Sequence, residues 1–128
     1  MKYLSMLFLA VGISNAYAAA ESTPTEPWLT VQSLYQFCES NEGSTAWITC
    51  ASYVIGVSTM MESNGSLVRN GLDTSPGVLA TSMCNSTTIS NLAVVQAFKN
   101  WAAAHPEQWT SPGSDGVIYA LSGLWPCT

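Results

Sequence analysis

The apolar positions of the chain fall into groups set apart by polar stretches rich in Gly, Pro, Asn and Ser. The first group, Leu4 to Ile13, is interrupted only by Ser5 and Gly12, follows Lys2 and gives way to small residues. A short apolar run behind a positive charge and ahead of an A-x-A site is the pattern of a secretory signal peptide. Ala16-Tyr17-Ala18 supplies that site. Residues 1–18 are therefore read as the signal peptide, 19–29 with their proline-marked "ESTPTEP" as a flexible leader, and 30–128 as one helical domain. Asn, Ser, Gln or a charge interrupts every later apolar stretch before it reaches the ~20 residues a membrane span requires. The product is expected to be exported and soluble.

The remaining groups carry helical periods. Val31, Leu34, Tyr35 and Cys38 recur at i, i+3, i+4 and i+7 behind Thr30, a good N-cap, and "ESNEGS" then ends the helix with turn residues. In "STAWITCASYVIGVSTMMES" a stripe of Trp47, Cys50, Ala51, Val54, Val57 and Met61 is flanked by Ile48, Tyr53, Ile55 and Met60. A helix apolar nearly all round is expected at the centre of the fold. Gly56 in its interior costs about 1 kcal/mol relative to Ala and is read as the mark of a close helix crossing. A third helix follows from Ile89, Leu92, Ala93, Gln96, Phe98, Trp101 and Ala102, capped by Thr88 and stopped at Pro106. Ser111 and Pro112 read as N-cap and N1 of a last helix whose face is Val117, Ile118, Leu121, Leu124 and Trp125, with Pro126 as its stop. The expected fold is all-α, a small bundle of four short helices.

Residues 62–83 contain two Asn-Gly pairs and Ser-Pro-Gly, which is turn chemistry, and are expected to form a long connection with at most a helical turn near Pro76 to Thr81. A loop of that length in a small domain is mobile or functional. Its polar and charged residues Glu62, Asn64, Arg69 and Asp73 are the candidate partner contacts, joined by Trp109, a tryptophan in loop sequence. Trp28, in flanking sequence, is the other aromatic with that potential.

Four cysteines remain after export: Cys38, Cys50, Cys84 and Cys127. Small exported domains use disulfides to supplement a limited core, and the lack of any C-x-x-C together with a single histidine disfavours structural zinc. Cys38 ends the first helix and Cys50 lies near the start of the second; a short connection makes these helices antiparallel neighbours, so the two should pair. By the same reasoning Cys84, before the third helix, should pair with Cys127, after the fourth, and so tie down a chain end that reads "LWPCT". Closing that loop stabilises by about 4 kcal/mol on the chain-entropy view.

Eight acids against Arg69 and Lys99 give the exported part a net charge of minus six. That excludes the basic footprint needed for nucleic acid or anionic lipid. The charge suits a basic protein partner and equally serves solubility. Catalytic chemistry finds little support: His105, beside Pro106, fits a helix C-terminal cap, paired cysteines leave no thiol nucleophile, and no G-x-S-x-G elbow is present. No cofactor and no metal are expected.

The ordered set of a signal peptide, a first helix ending in Cys, "CASYVIGV" against C-x-G-Y-I-x-G-V, a Cys after a loop, a helix closing on "HP" and a final "AL...WPC" resembles the Rap/Tai immunity-protein family over most of the exported chain. Ser52 stands where the pattern has Gly, and "CNSTT" lacks the proline that usually follows the third Cys. The resemblance implies a periplasmic, all-helical, disulfide-bonded and typically dimeric inhibitor of a peptidoglycan amidase delivered by type VI secretion, acting by occlusion of its cleft. A periplasmic carrier of small ligands or an acid-stress chaperone is the alternative role for a small exported helical protein.

Overall fold

The computed structural model describes residues 29–84 and 89–128. The helices are α1 (Val31–Cys38), α2 (Thr45–Arg69), α3 (Pro76–Ala80), α4 (Asn91–Ala104) and α5 (Gly113–Leu124), with a 3-10 turn at Pro106–Gln108. The protein is helical, as its periodicity requires, and no named strand occurs among the described residues. The signal peptide, nearly all of the leader, Trp28 and the expected cap Thr88 lie outside the described residues. Leu29, read as the last leader residue, belongs instead to the packed body: its side chain is buried and its carbonyl accepts the Gly113 N–H at 2.9 Å.

α1 begins where expected. Thr30 Oγ1 accepts the Ser33 N–H and Ser33 Oγ accepts the Thr30 N–H, a reciprocal capping box. The next free donors, Val31 and Gln32 N–H, reach the carbonyls of Ser111 and Trp109. The start of α1 is thereby docked against the start of α5, and no N-terminal donor of α1 is left unsatisfied.

α2 is central, packing against α1, α3, α4 and α5. It is also longer than its local sequence indicates. The expected loop at residues 62–83 is only partly a loop, because the helix continues through Asn64-Gly65 to Arg69. Tertiary contact overrides turn propensity there: the Asn64 amide donates to Thr81 O and Oγ1, and Gly65 faces the core against the main chain of Met83. The second Asn-Gly pair is the true stop. Gly71 takes φ 65°, Leu72 N–H reaches Leu67 O and Gly71 N–H reaches Val68 O, a Schellman motif. The helical turn expected near Pro76 is present as α3, which raises the helix count above four.

Gly56 does not mark a crossing. It is exposed, and a Cβ built there meets nothing within 4 Å. The close approaches belong to Gly65 and to Gly116, where a Cβ would press on Val31, Trp101 and Phe98. Large apolar residues drew the expected face of the last helix, yet its buried side is Gly113, Gly116, Val117, Ala120 and Leu121, and Leu124 is 59% exposed. Small residues form this face because α5 lies close against α1 and α4. α5 also starts one position later than expected, with Pro112 as N-cap, since the Ser111 carbonyl is already engaged by Val31 N–H.

In α4 the N-cap is Ser90, whose hydroxyl accepts the Ala93 N–H. Its buried face is Val94, Val95, Ala97, Phe98 and Ala102. Phe98 and Ala102 were expected, whereas Leu92 and Gln96 point outward. Two apolar stripes overlap in this sequence, and the one that meets α1, α2 and α5 together is buried. The core is completed by Leu34, Val54, Met61 and Met83, each burying side-chain area that stabilises by about 1.5–3 kcal/mol per large residue. Cys38–Cys50 and Cys84–Cys127 are bonded as the hairpin geometry requires, with Cα separations of 5.1 and 4.7 Å.

Candidate partner-binding surface

From Asn70 to Ala80 no residue is buried. This exposed arm leaves the body at the Schellman turn, crosses α3 and returns at Ser82, which is fully buried and donates its hydroxyl to Leu79 O. Both ends are held. Met83 N–H donates to Met61 O at 3.0 Å, Cys84 N–H donates to Trp125 O at 2.9 Å, and the Cys84–Cys127 bridge fastens the return strand to the C-terminal segment. An arm fixed at both ends loses less conformational freedom on binding than a free loop.

Glu62, Asn64 and Arg69 lie on the last turns of α2 and Asp73 in the link to α3, so four of the expected contact residues belong to one region of the chain. Glu62 and Arg69 are exposed. Asn64 is half-buried and holds the arm through Thr81. Asp73 Oδ1 accepts the Ser75 N–H at 2.9 Å, and donation from the Ser75 main chain and hydroxyl holds its carboxyl below the usual carboxylate range. Trp109 is not part of this group. Its Nε1–H donates to Ala102 O at 2.9 Å and its ring packs near Tyr35, with centroids 6.2 Å apart. Leu72, 74% exposed, and Leu79, 38% exposed, are arm residues that the sequence reading passed over. Their only signal was apolar side chains inside turn chemistry.

Two grooves lie elsewhere. One of about 520 Å³ is bordered by Trp47, Glu42, Leu92 and Lys99, the last paired with Glu39 at 2.9 Å. The other, about 400 Å³ between α4 and α5, is lined by Trp101, Tyr119 and Leu124 over a floor of Ala97, Ala120 and Gly123. His105 caps α4 beside it. Its Nδ1 donates to Trp101 O at 2.8 Å and its ring stacks on the Trp101 indole, so one nitrogen and one face are already used structurally. All four cysteines are bridged, and among the described residues no cluster of His, Cys, Asp or Glu is arranged to hold a metal ion. Among the same residues no helix is long and apolar enough to cross a membrane.

An all-helical body with disulfide bridges is what the sequence resemblance implies. The Rap1a immunity proteins match residues 30–127, from the cap of α1 to the cysteine that closes the second bridge. The chain belongs to the Rap1a immunity protein family. No curated protein and no solved structure matches it. As a Rap1a immunity protein its partner is a toxin effector, which directs attention to protein-binding surfaces such as the arm rather than to a catalytic cleft.

Proposed function

We propose that this Rap1a immunity protein is exported to the periplasm and works there as a homodimer that inhibits a peptidoglycan amidase delivered by type VI secretion, without catalysing a reaction itself. Inhibition is steric: the arm from Asn70 to Ala80 enters the amidase cleft, with Leu72 as its apolar tip and Arg69 and Asp73 as the charged flanks. The observation that carries this reading is an exposed segment fixed at both ends, with a leucine 74% exposed on a protein that buries Leu29, Leu34 and Leu121. The bridges fit an oxidising compartment, and the first 18 residues fit export.

Co-expression tests it. Cells producing a cognate type VI amidase directed to the periplasm should survive when the immunity protein is present. They should lyse when it carries Leu72→Asp with Leu79→Asp, although that variant remains folded and exported. Lysis with the unaltered protein present, together with no binding between the two, would sink the assignment. The groove between α4 and α5 favours a second reading, carriage of a small apolar ligand. Native mass spectrometry of periplasmic material would then show bound lipid.

A further inference from the structure

The groove of about 400 Å³ between α4 and α5 takes no part in inhibition by the arm. Trp101 and Tyr119 set their rings 6.0 Å apart at 32° above a floor of Ala97, Ala120 and Gly123, and Leu124 closes one end. Among the described residues no charged side chain lines it, and the Asn100 carbonyl oxygen already accepts the Gln96 amide at 2.7 Å. Tyr119 and Leu124 are 56% and 59% exposed. Aromatic rings beside small residues make the kind of groove on which proline-rich segments dock.

The chain itself leads such a segment to this place. Leu29 O accepts the Gly113 N–H and Val31 N–H reaches Ser111 O, so Thr30 is paired antiparallel with Pro112. Going backwards from Leu29, the chain therefore leaves the body beside the first turn of α5 and heads the way residues 111–113 head, towards that helix. The groove opens one turn from this exit, because Trp101 Cζ3 lies 3.1 Å from where a Cβ on Gly116 would sit. Cleavage after Ala18 leaves the sequence "AAESTPTEPW" ahead of Leu29, with Pro24 and Pro27 spaced as P-x-x-P. At about 3.1 Å per residue in polyproline II those residues span roughly 30 Å, whereas the whole of α5 is about 18 Å long.

We propose that Thr23 to Trp28 dock on the α4/α5 groove of their own molecule, an inference that takes from the proposed function only the export step that sets where the chain begins. Three residues per turn place Pro24 and Pro27 on one edge, Thr25 and Trp28 on the next and Glu26 on the third. The acid then stays in water while apolar rings meet Trp101 and Tyr119. The tether selects this occupant. It presents the segment at a local concentration on the order of millimolar, so an affinity negligible between separate molecules fills the groove. A separate protein has no such advantage, and the groove offers no charge to attract one.

The test is NMR of the exported, oxidised protein, unaltered and with Pro24→Gly plus Pro27→Gly, after intact mass has fixed its first residue. Both substitutions lie outside the packed body, so circular dichroism of the two proteins should coincide. The unaltered protein should show nuclear Overhauser contacts from the Pro24 and Pro27 rings to those of Trp101 and Tyr119, and the variant should lose them. With the groove filled at least half of the time, hydroxyl-radical labelling of Tyr119 and Leu124 in the unaltered protein should be about half that in the variant or less. Absent contacts, equal labelling, or contacts found only between isotopically labelled and unlabelled copies would overturn the proposal. So would lipid bound in the groove, or an exported chain that begins beyond Pro27. None of these results bears on inhibition of the amidase by the arm.

Discussion

Gly65 lies against the main chain of Met83, and a Cβ on Gly65 would collide with the Met83 carbonyl oxygen. One turn earlier on the same helix, Met61 O accepts the Met83 N–H. The return of the arm is therefore laid along α2 by a contact that only glycine permits. Gly65→Ala gains helix propensity of up to about 1 kcal/mol but forces two backbones apart, and a net loss of about 1–3 kcal/mol is expected. Urea unfolding of the oxidised protein measures it; an unchanged or raised midpoint would show that the contact is dispensable.

The two bridges should differ in their response to reduction. Cys38 and Cys50 are buried to within 1% of full enclosure, whereas Cys84 and Cys127 are half-exposed. An attacking thiolate must reach a sulfur atom. Mild dithiol treatment followed by alkylation and peptide mass mapping should find Cys84–Cys127 opened first, at least about tenfold faster. Prior or simultaneous opening of Cys38–Cys50 contradicts the burial argument. Removing Cys84 and Cys127 together by Cys→Ala should cost about 4 kcal/mol, with a sequence separation of 43 residues as the loop closed.

His105 should prove structural. Its ring stacks on Trp101 at 4.6 Å between centroids while Nδ1–H donates to the Trp101 carbonyl. His105→Ala is expected to lower stability by about 1 kcal/mol and to leave inhibition of the toxin unchanged. A large loss of inhibition in a well-folded variant would assign the imidazole a role at the partner.

Asp73 gives the arm a dependence on acid. Its carboxyl titrates below the usual range because Ser75 donates to the ionised form. A depressed folded-state value means that its contribution is fully present above the unfolded value of roughly 3.9 and is lost as pH falls through the lower folded one. Carboxyl-resolved NMR titration should place Asp73 below the ordinary Asp value of roughly 3.9, and Ser75→Pro, which removes the donated N–H, should return it to the ordinary range. No change on that substitution would remove the hydrogen bond as the cause.

Much of the fold is legible in the sequence because its signals are local. The N-cap Thr30, the 3.6-residue period of α1 and the antiparallel hairpins that bring Cys38 to Cys50 and Cys84 to Cys127 need no knowledge of distant contacts. The C-terminal third of α2 is not legible, because Asn64-Gly65 has the same local chemistry as the Asn70-Gly71 pair that does end the helix. Only the Thr81 and Met83 contacts distinguish them. Gly56 and Gly65 are likewise indistinguishable by propensity, and the tight one is known from what faces it. On the proposed partner surface, Glu62, Asn64, Arg69 and Asp73 are legible as polar residues in turn sequence, whereas Leu72 and Leu79 are not, because exposure of an apolar residue is a tertiary fact.

The direct measurement is peptidoglycan hydrolysis by a purified type VI amidase, the proposed target, titrated with the mature, oxidised immunity protein. Hydrolysis should fall linearly and stop at about one protomer per enzyme, as expected when each cleft is filled by one arm, and Leu72→Asp with Leu79→Asp should leave it running. Hydrolysis that proceeds undiminished with the unaltered protein in several-fold excess contradicts inhibition by occlusion.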